Sequence, residues 1–431
     1  MITSRQEVSL MKRLSCILMV VALVAGFSMG AFAKETIIYY LWDDPTYKNI
    51  VQAFNDSQDE VFVDAKIIPA KDYEAKIMTL LAGGAEMDAY MNKRQTDIFP
   101  MVENGFAEPL DALIEKHGYD IDAIGGYKGA ITVDGEVYAI PFRGEAWFTY
   151  YNEKVFEAAG LPTPDTYVEN GEWTWEKFKE VAKEIATGDG EVYGAIMYTW
   201  PVCQVMPADQ RGLHYISAEG ELDVDETLAY AFQLRKELEQ ANAIIPLAEL
   251  KATKTHYSKA FWEGNSGMLL IGAWFPGMML KAKEDDLLKG FTWDDWGLTR
   301  LPCNEEEYST VGLPTSNHLH PDSEKKDAAF KFISWMGGPE GATVVAKNGF
   351  MPAMFSPEAK EAIASVLPDE SSVKYFTEPV KRQTSWFNKY GPKVDTAISE
   401  LIEEYLLSDM TQNQFMDTVR DRFEEIVNTT M

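Results

Sequence analysis

The amino-acid sequence predicts an α/β fold built from more than one domain. Two stretches, residues 36–41 and 61–68, are apolar and rich in β-branched and aromatic side chains, which is typical of buried strands. Each stretch precedes a segment with apolar residues at helical spacing, and this alternation of strand and helix indicates α/β layers. At roughly 150 residues per domain, a chain of 431 residues predicts two to three domains.

Capping residues and turn motifs place the first elements in order. Asp44 suits the N-cap of the first helix, and Pro45 suits its first turn. The next helix has apolar residues at positions 73, 77, 80 and 81 and ends at Gly83. The Asp134-Gly135 pair separates two short apolar runs and predicts a β-hairpin with a type I′ turn.

Three later helices are predicted by the same rules. Thr174 predicts the N-cap of a helix whose apolar residues lie at positions 175, 178, 181, 182 and 185. Ser323 predicts the start of another helix, which ends at Gly337. The last helix carries a stripe of apolar side chains: Phe415, Met416, Val419, Phe423 and Ile426.

The charge balance narrows the range of partners. The chain has 39 Lys and Arg residues against 68 Asp and Glu residues, which gives a net charge of −29. Because an acidic surface repels phosphate groups, nucleic acids and anionic membranes are not expected as partners.

Catalytic and cofactor motifs are missing from the sequence. It has no phosphate-binding loop, no dinucleotide fingerprint and no His-Glu-x-x-His zinc motif, so we expect neither a cofactor nor an enzymatic activity. The pattern His318-Leu319-His320 is interpreted as an exposed loop and not as a metal site, because no carboxylate or cysteine ligands accompany it.

The first 33 residues have the pattern of a secretory signal peptide. Lys12 and Arg13 precede an apolar run over residues 17–27, and Ala31-Phe32-Ala33 forms a cleavage site of the A-x-A type. We therefore expect cleavage after Ala33 and an exported, soluble, periplasmic protein. Cys16 precedes the apolar run, so no lipid anchor is expected.

Two cysteines remain after cleavage, Cys203 and Cys303. The export compartment would allow a disulfide, but a core of this size does not need one, so a disulfide and two free thiols both stay open. Neither cysteine has a His or a second Cys at zinc-ligand spacing.

Tryptophan residues follow several of the predicted strands. The chain has 11 Trp residues, and Trp42, Trp147, Trp200 and Trp274 each come after an apolar run or hairpin. In α/β sheets, ligands bind beyond the carboxyl ends of strands. An indole face covers the C–H surface of a sugar ring, and Asp, Glu and Arg bind its hydroxyl groups, so these positions indicate a sugar site. A position in the core is equally open for each of them.

A set of motifs between Thr36 and Met354 forms a recognisable pattern. The segments that carry it are residues 81–88 (LAGGAEMD), 138–141 (YAIP), 150–161 (YYNEKVFEAAGL), 173–178 (WTWEKF), 260–268 (AFWEGNSGM) and 272–274 (GAW). Through these motifs the chain resembles the extracellular solute-binding proteins of family 1, which are the carbohydrate-binding subunits of ABC importers.

The resemblance implies a two-lobed periplasmic-binding-protein fold with a ligand cleft between discontinuous lobes. The chain would cross between the lobes three times, near Arg143–Glu145, Arg300–Cys303 and Gly349–Ala353. The signal peptide then spans 1–33, the N-terminal lobe 34–143 and 301–349, and the C-terminal lobe 144–300 and 350–431. Such lobes close on a ligand like a clamp.

The resemblance and the strand ends together nominate the ligand-binding residues. They are Trp42, Asp43, Arg143, Glu145, Trp147, Trp200, Trp274 and Trp386. Trp274 matches the Gly-x-Trp motif of the family, which makes it the strongest candidate for a sugar platform. Alternatives stay open: Arg143 and Glu145 could form a salt bridge at the hinge, Asp44 is better explained as a helix cap, and Arg94 as a surface residue.

The function implied by the resemblance is the capture of a mono- or oligosaccharide and its delivery to ABC permease subunits in the membrane. We expect a monomer with no bound metal. Two other functions stay open. One is a secreted glycosidase, for which Asp43 and Glu145 are available as the two carboxylates. The other is the same scaffold binding a polyamine.

Overall fold

The computed structural model describes residues 34–383 and 386–430. The predicted signal peptide, with its cleavage site after Ala33, lies outside the described residues. Among the helices that are described, none is long and apolar enough to cross a membrane.

Short strands from the whole chain form the sheets. In the described residues they are β1 (Glu35–Trp42), β2 (Val61–Ile68), β3 (Ala89–Asn92), β4 (Thr132–Val133), β5 (Glu136–Val137), β6 (Ile140–Arg143), β7 (Trp147–Asn152), β8 (Tyr193–Met197), β9 (Tyr215–Ile216), β10 (Leu222–Asp223), β11 (Ser266–Gly272), β12 (Trp296–Arg300), β13 (Ser309–Val311), β14 (Thr315–Leu319) and β15 (Lys381–Gln383).

Helices connect many of the strands. They are α1 (Pro45–Ser57), α2 (Tyr73–Ala82), α3 (Ile98–Glu103), α4 (Asp111–His117), α5 (Glu153–Ala159), α6 (Pro164–Glu169), α7 (Trp175–Ile185), α8 (Val202–Arg211), α9 (Glu226–Gln240), α10 (Leu247–Thr253), α11 (Tyr257–Trp262), α12 (Phe275–Glu284), α13 (Lys326–Gly337), α14 (Pro339–Lys347), α15 (Pro357–Ala364), α16 (Glu370–Thr377), α17 (Gly391–Leu407) and α18 (Gln412–Thr430).

Two sheets define two lobes, which confirms the predicted two-lobed α/β fold. The N-terminal lobe contains a sheet of order β2-β1-β3-β14-β6, in which β1 pairs in parallel with β2 and β3. The C-terminal lobe contains a sheet of order β12-β7-β11-β8, in which β11 runs parallel to β8 and antiparallel to β7. Each sheet has its own hydrophobic core.

A third core lies at the C-terminal end of the chain. The last two helices, α17 and α18, pack with α8 and α9 around buried residues that include Phe232, Leu401 and Phe423. All five members of the apolar stripe predicted for the last helix are buried on this side, so that prediction is confirmed.

Three passages of the chain join the two lobes. The first passage, residues 144–146, lies beside the third, residues 348–353, because Gly144 N–H donates to the Met351 carbonyl over 2.9 Å and Ala353 N–H to the Phe142 carbonyl over 3.0 Å. The second passage follows β13, at residues 312–314, whereas the sequence placed it near Arg300–Cys303. The chain stays with the C-terminal lobe through β13 because the Thr310 hydroxyl donates to the Trp147 carbonyl over 2.8 Å. The other lobe boundaries given above stay a prediction.

The predicted local signals are present at several helix ends and turns. Asp44 caps α1, because its carboxylate accepts a hydrogen bond from Thr46 N–H over 2.8 Å. Thr174 caps α7 in the same way through Lys177 N–H. The hairpin between β4 and β5 has φ angles of 51° at Asp134 and 89° at Gly135, as a type I′ turn requires.

Two local predictions are wrong. The helix predicted to open at Ser323 begins at Lys326. The Ser323 hydroxyl oxygen accepts a hydrogen bond from Lys325 N–H over 3.1 Å, before the helix, and the hydroxyl donates to Asp88 over 2.6 Å, so Ser323 does not cap the helix. His318 and His320 were expected in an exposed loop, but both are buried, and His318 lies in β14 with its ring stacked on Tyr90 at 5.3 Å. The stacking partner belongs to the neighbouring strand β3.

The two cysteines are free thiols in the structure. Cys203 is buried and Cys303 is half-buried. Burial raises the pKa of the Cys203 thiol to about 12, so this thiol is protonated and unreactive at neutral pH.

Candidate functional site

Most of the nominated residues meet between the two lobes. We call this group the interlobe cluster; its members are Arg143, Glu145, Trp147, Trp200 and Trp274. The ring of Trp274 lies 5.6 Å from those of Trp147 and Trp200, and the Arg143 guanidinium carbon lies 5.6 Å from the Trp274 ring. The strand ends bring these side chains together, because Arg143 ends β6, Trp147 begins β7 and pairs with Gly272 at the end of β11, and Trp274 follows two residues later.

Trp274 has the central position in the interlobe cluster. It is half-buried and packs against the cores of both lobes. Its ring stands edge-on to Trp147, with an angle of 89° between the two planes. The indole Nε1 donates a hydrogen bond to the Tyr257 hydroxyl over 2.6 Å, so the orientation of the ring is fixed from the C-terminal lobe.

Arg143 lies at the end of β6 and contacts both lobes. Its Nη1 donates to the Tyr47 hydroxyl of the N-terminal lobe over 2.7 Å, and its guanidinium carbon lies 5.3 Å from the Phe350 ring. Its Nη2 lies 3.7 Å from a Glu145 carboxylate oxygen, so the hinge salt bridge considered from the sequence is present. Among the described residues, the buried Nε of Arg143 has no hydrogen-bond partner.

Glu145 is a buried carboxylate in the first passage, with 5% of its surface exposed. Its Oε1 accepts a hydrogen bond from Ala273 N–H over 3.1 Å. Burial raises the pKa of Glu145 to about 7, against the opposing attraction of Arg143. The side chain fits only because Gly272 has no Cβ, which would lie 2.5 Å from Oε1.

Trp42 and Asp43 follow β1 in the N-terminal lobe. Trp42 is buried, with its ring 4.9 Å from Tyr47 and 5.4 Å from Tyr73, so most of its surface is used for packing. The Asp43 side chain is 57% exposed and its nearest cation is Lys48, at 3.4 Å. Asp43 is therefore accessible to a ligand, and Trp42 acts as support for Tyr47.

Trp386 lies in the third core and not in the interlobe cluster. Its ring packs 5.2 Å from Tyr215, and only 8% of the residue is exposed. Little of the indole face is left for a ligand. Arg94 forms an ion pair of 2.7 Å with Asp97, lies 3.8 Å from Asp395, and has 40% of its side chain exposed.

Sequence reasoning missed several aromatic members of the site. Tyr47, Tyr198, Tyr257 and Phe350 all contact the interlobe cluster, through Arg143 or through the rings of Trp200 and Trp274. Tyr47 lies in α1, where its spacing from the apolar residues Ile50, Val51 and Phe54 indicates only a buried face of the helix. Tyr257 opens α11 just before the motif at residues 260–268, and proximity to that motif was the signal that could have found it.

Comparison with known proteins identifies relatives that cover most of the chain. The family model of the bacterial extracellular solute-binding proteins matches residues 49–365. The resemblance drawn from the sequence motifs is thereby confirmed. The lactose-binding protein of Rhizobium radiobacter is 26% identical over 326 residues, covering 71% of this chain and 71% of that protein.

Solved structures of similar proteins share the fold. A sugar transporter from Rhizobium etli, in an open conformation, is 28% identical with a TM-score of 0.74, covering 91% of this chain and 99% of that chain. A substrate-binding protein of an ABC system from Listeria monocytogenes, in complex with cycloalternan, has a TM-score of 0.76 at 22% identity, covering 92% and 99% of the two chains. The second likeness supports the fold alone.

Proposed function

The chain belongs to the bacterial extracellular solute-binding protein family, and from this premise we propose that it captures a mono- or oligosaccharide and delivers it to an ABC-type membrane permease. The names of two relatives, a lactose-binding protein and a sugar transporter, support a sugar as the ligand. The family consists of binding proteins, which supports a role without catalysis.

The interlobe cluster is the observation that carries this proposal. Trp200 and Trp274 are half-buried, Trp274 where the cores of the two lobes meet, and both offer apolar ring surface. Arg143 is charged and Asp43 is exposed on the N-terminal side, which supplies donors and acceptors for hydroxyl groups. Large rigid aromatic surface combined with a few polar groups suits a sugar ring, whose faces are apolar and whose rim is polar.

Arg143 distinguishes a sugar from a polyamine. A polyamine site would surround its ammonium groups with carboxylates and aromatic faces. Here the guanidinium of Arg143 lies 5.6 Å from the Trp274 ring and would repel a cation placed there. A neutral sugar has no such penalty, so it is the favoured ligand class.

A thermal-shift screen of the mature protein tests the proposal. The panel contains lactose, other neutral mono- and oligosaccharides, and spermidine. A sugar that binds the folded state raises the Tm by mass action, with a stabilisation of about 2.7 kcal/mol at a concentration of 100 Kd. Stabilisation by spermidine alone would contradict a sugar ligand, and release of shorter sugars during incubation, measured by chromatography, would contradict the absence of catalysis.

Export to the periplasm is part of the proposal. Strand β1 begins at Glu35, so cleavage after Ala33 would remove no described element. Mass spectrometry of the exported protein should give a mature chain that starts at Lys34, with no diacylglycerol adduct. A longer mature chain or a lipid-modified cysteine would contradict this point.

A further inference from the structure

Tyr127 lies against the backbone of the first passage between the lobes. It is buried in the core of the N-terminal lobe, with 4% of its surface exposed. Its hydroxyl oxygen accepts a hydrogen bond from Glu145 N–H over 2.7 Å, and the hydroxyl donates to the Glu145 carbonyl over 3.0 Å. The N-terminal lobe thus holds both backbone groups of one residue in the passage.

Arg382 reaches the same residue from the other lobe. Its Nε donates to the Glu145 carbonyl over 2.8 Å, and its guanidinium carbon lies 4.9 Å from the centre of the Tyr127 ring. Its Nη2 also lies 3.9 Å from the Met351 sulfur in the third passage. Arg382 therefore contacts the first passage, the third passage and the N-terminal lobe at once.

The strand that carries Arg382 is fixed to the C-terminal lobe. β15 pairs in parallel with β13, with Arg382 opposite Thr310. The next residue, Gln383, donates from Nε2 to the Gln210 carbonyl in α8 over 3.2 Å. A rotation of one lobe relative to the other consequently moves Arg382 relative to Tyr127.

Close packing leaves little free space at the point where the first and third passages meet. A Cβ at Gly144 would lie 2.9 Å from the Tyr127 hydroxyl and 2.8 Å from the Pro352 carbonyl oxygen. The first and third passages therefore approach each other so closely at position 144 that only a glycine fits there. The contact of Tyr127 with Arg382 therefore lies where the first and third passages between the lobes meet.

We propose that Tyr127 and Arg382 are positioning residues for ligand capture: their clamp on the Glu145 backbone sets the angle between the lobes in the ligand-free protein. This inference rests on the proposed capture of a ligand between two lobes. The apparent affinity depends on the fraction of molecules in the binding-competent arrangement, so loss of the clamp changes affinity without removing a ligand contact.

Distances between two spin labels in the ligand-free protein test the proposal. The labels are attached at Lys76→Cys in α2 and Glu184→Cys in α7, which are exposed positions on the two lobes. The background variant Cys303→Ser removes the half-buried thiol, and Cys203 is fully buried. Arg382→Ala should give a displaced mean distance or a second peak in the distance distribution.

Arg300 provides the matched control. Its guanidinium carbon lies 4.7 Å from the Tyr308 ring and it pairs with Glu378 at 2.6 Å, so the same kinds of contact occur within one lobe. Arg300→Ala should leave the distance distribution as in the parent protein. If Arg382→Ala is too unstable to measure, Tyr127→Phe removes only the hydroxyl and should shift the distribution in the same way.

A distribution for folded Arg382→Ala and Tyr127→Phe that superimposes on that of the parent would overturn the proposal. Because the measurement needs no ligand, this result is separate from a failure of the sugar screen. If the variants shift the distance distribution but no sugar in the screen stabilises the protein, the proposed role of Tyr127 and Arg382 is supported and the proposed ligand class is refuted.

Discussion

The indole nitrogen of Trp274 and the hydroxyl of Tyr257 are joined by a hydrogen bond of 2.6 Å. Tyr257 is buried in the C-terminal lobe, so this bond ties the orientation of a half-buried ring at the gap to a rigid core. A platform held in this way loses little conformational entropy when a ligand stacks on it. Trp274 therefore combines a structural contact with free ring surface.

Replacement of Trp274 by alanine should weaken sugar binding more than tenfold. The loss of an aromatic anchor typically costs about 2 kcal/mol or more of binding free energy. Because the ring is only half-buried, the ligand-free Tm should fall less than for a core tryptophan. Calorimetry with the sugar found in the screen and thermal unfolding on the same variant measure both effects.

Trp296→Ala is the control for this prediction. Trp296 is fully buried in the core of the C-terminal lobe, so its truncation should cost about 3–5 kcal/mol of stability and leave affinity in the folded fraction unchanged. If Trp274→Ala behaves like Trp296→Ala, Trp274 is a core residue and not a platform.

The buried carboxyl of Glu145 should make stability depend on pH. Its pKa in the folded protein is about 7, above the ordinary value of 4.5. Between these values the folded protein holds a proton that the unfolded chain has released, so a rise in pH favours unfolding. The contribution of Glu145 is complete below pH 4.5 and is lost as the pH rises through 7, a change of roughly 3 kcal/mol.

Glu145→Gln removes this titration and isolates its effect. The free energy of unfolding of the parent protein, minus that of Glu145→Gln, should decrease from pH 4.5 to pH 7.5 in urea titrations. Glu157→Gln, at a carboxylate that is 74% exposed, is the matched control for the exchange of a glutamate for a glutamine. A difference for Glu145→Gln that stays constant over this pH range would show that its carboxyl is not perturbed by burial.

Sequence patterns that involve only a few neighbouring residues were sufficient to predict several helix ends and one turn. The caps at Asp44 and Thr174 and the turn at Asp134-Gly135 depend on backbone groups within three residues, and all are present. The prediction at Ser323 is wrong because its hydroxyl oxygen accepts from Lys325 N–H, before the helix begins, and the hydroxyl donates to Asp88, 235 positions away, which the local sequence does not reveal.

The candidate site was partly predictable for the same reason. Strand ends and family motifs located Arg143, Glu145 and Trp274, since each lies at the end of a strand that the sequence indicated. Trp386 has the same residue type, but its packing on Tyr215 depends on how the last two helices fold back. The contact of Tyr127 with Arg382 joins two distant segments and could not be found from either one.

Thr174→Ala should destabilise the protein by about 1 kcal/mol. The Thr174 hydroxyl accepts a hydrogen bond from Lys177 N–H, and loss of an N-cap exposes that donor. Thr163 is a matched control, because it is also half-buried at a helix N-cap but makes no capping hydrogen bond. Urea unfolding should show little change for Thr163→Ala, and equal losses in the two variants would contradict the capping role.

Gly194→Ala should strongly destabilise the C-terminal lobe. Gly194 lies in β8 where α7 crosses it, and a Cβ there would lie 1.9 Å from the Ala182 carbonyl oxygen. Backbone cannot yield as a flexible side chain can, so the helix must move away from the sheet, at a cost of about 3 kcal/mol. Gly129→Ala is the control, because a Cβ at Gly129 meets no atom within 4 Å, and it should change stability by less than about 0.5 kcal/mol. Urea unfolding of both variants measures the difference, and a Gly194→Ala variant as stable as Gly129→Ala would mean that α7 and β8 are not in contact at this point.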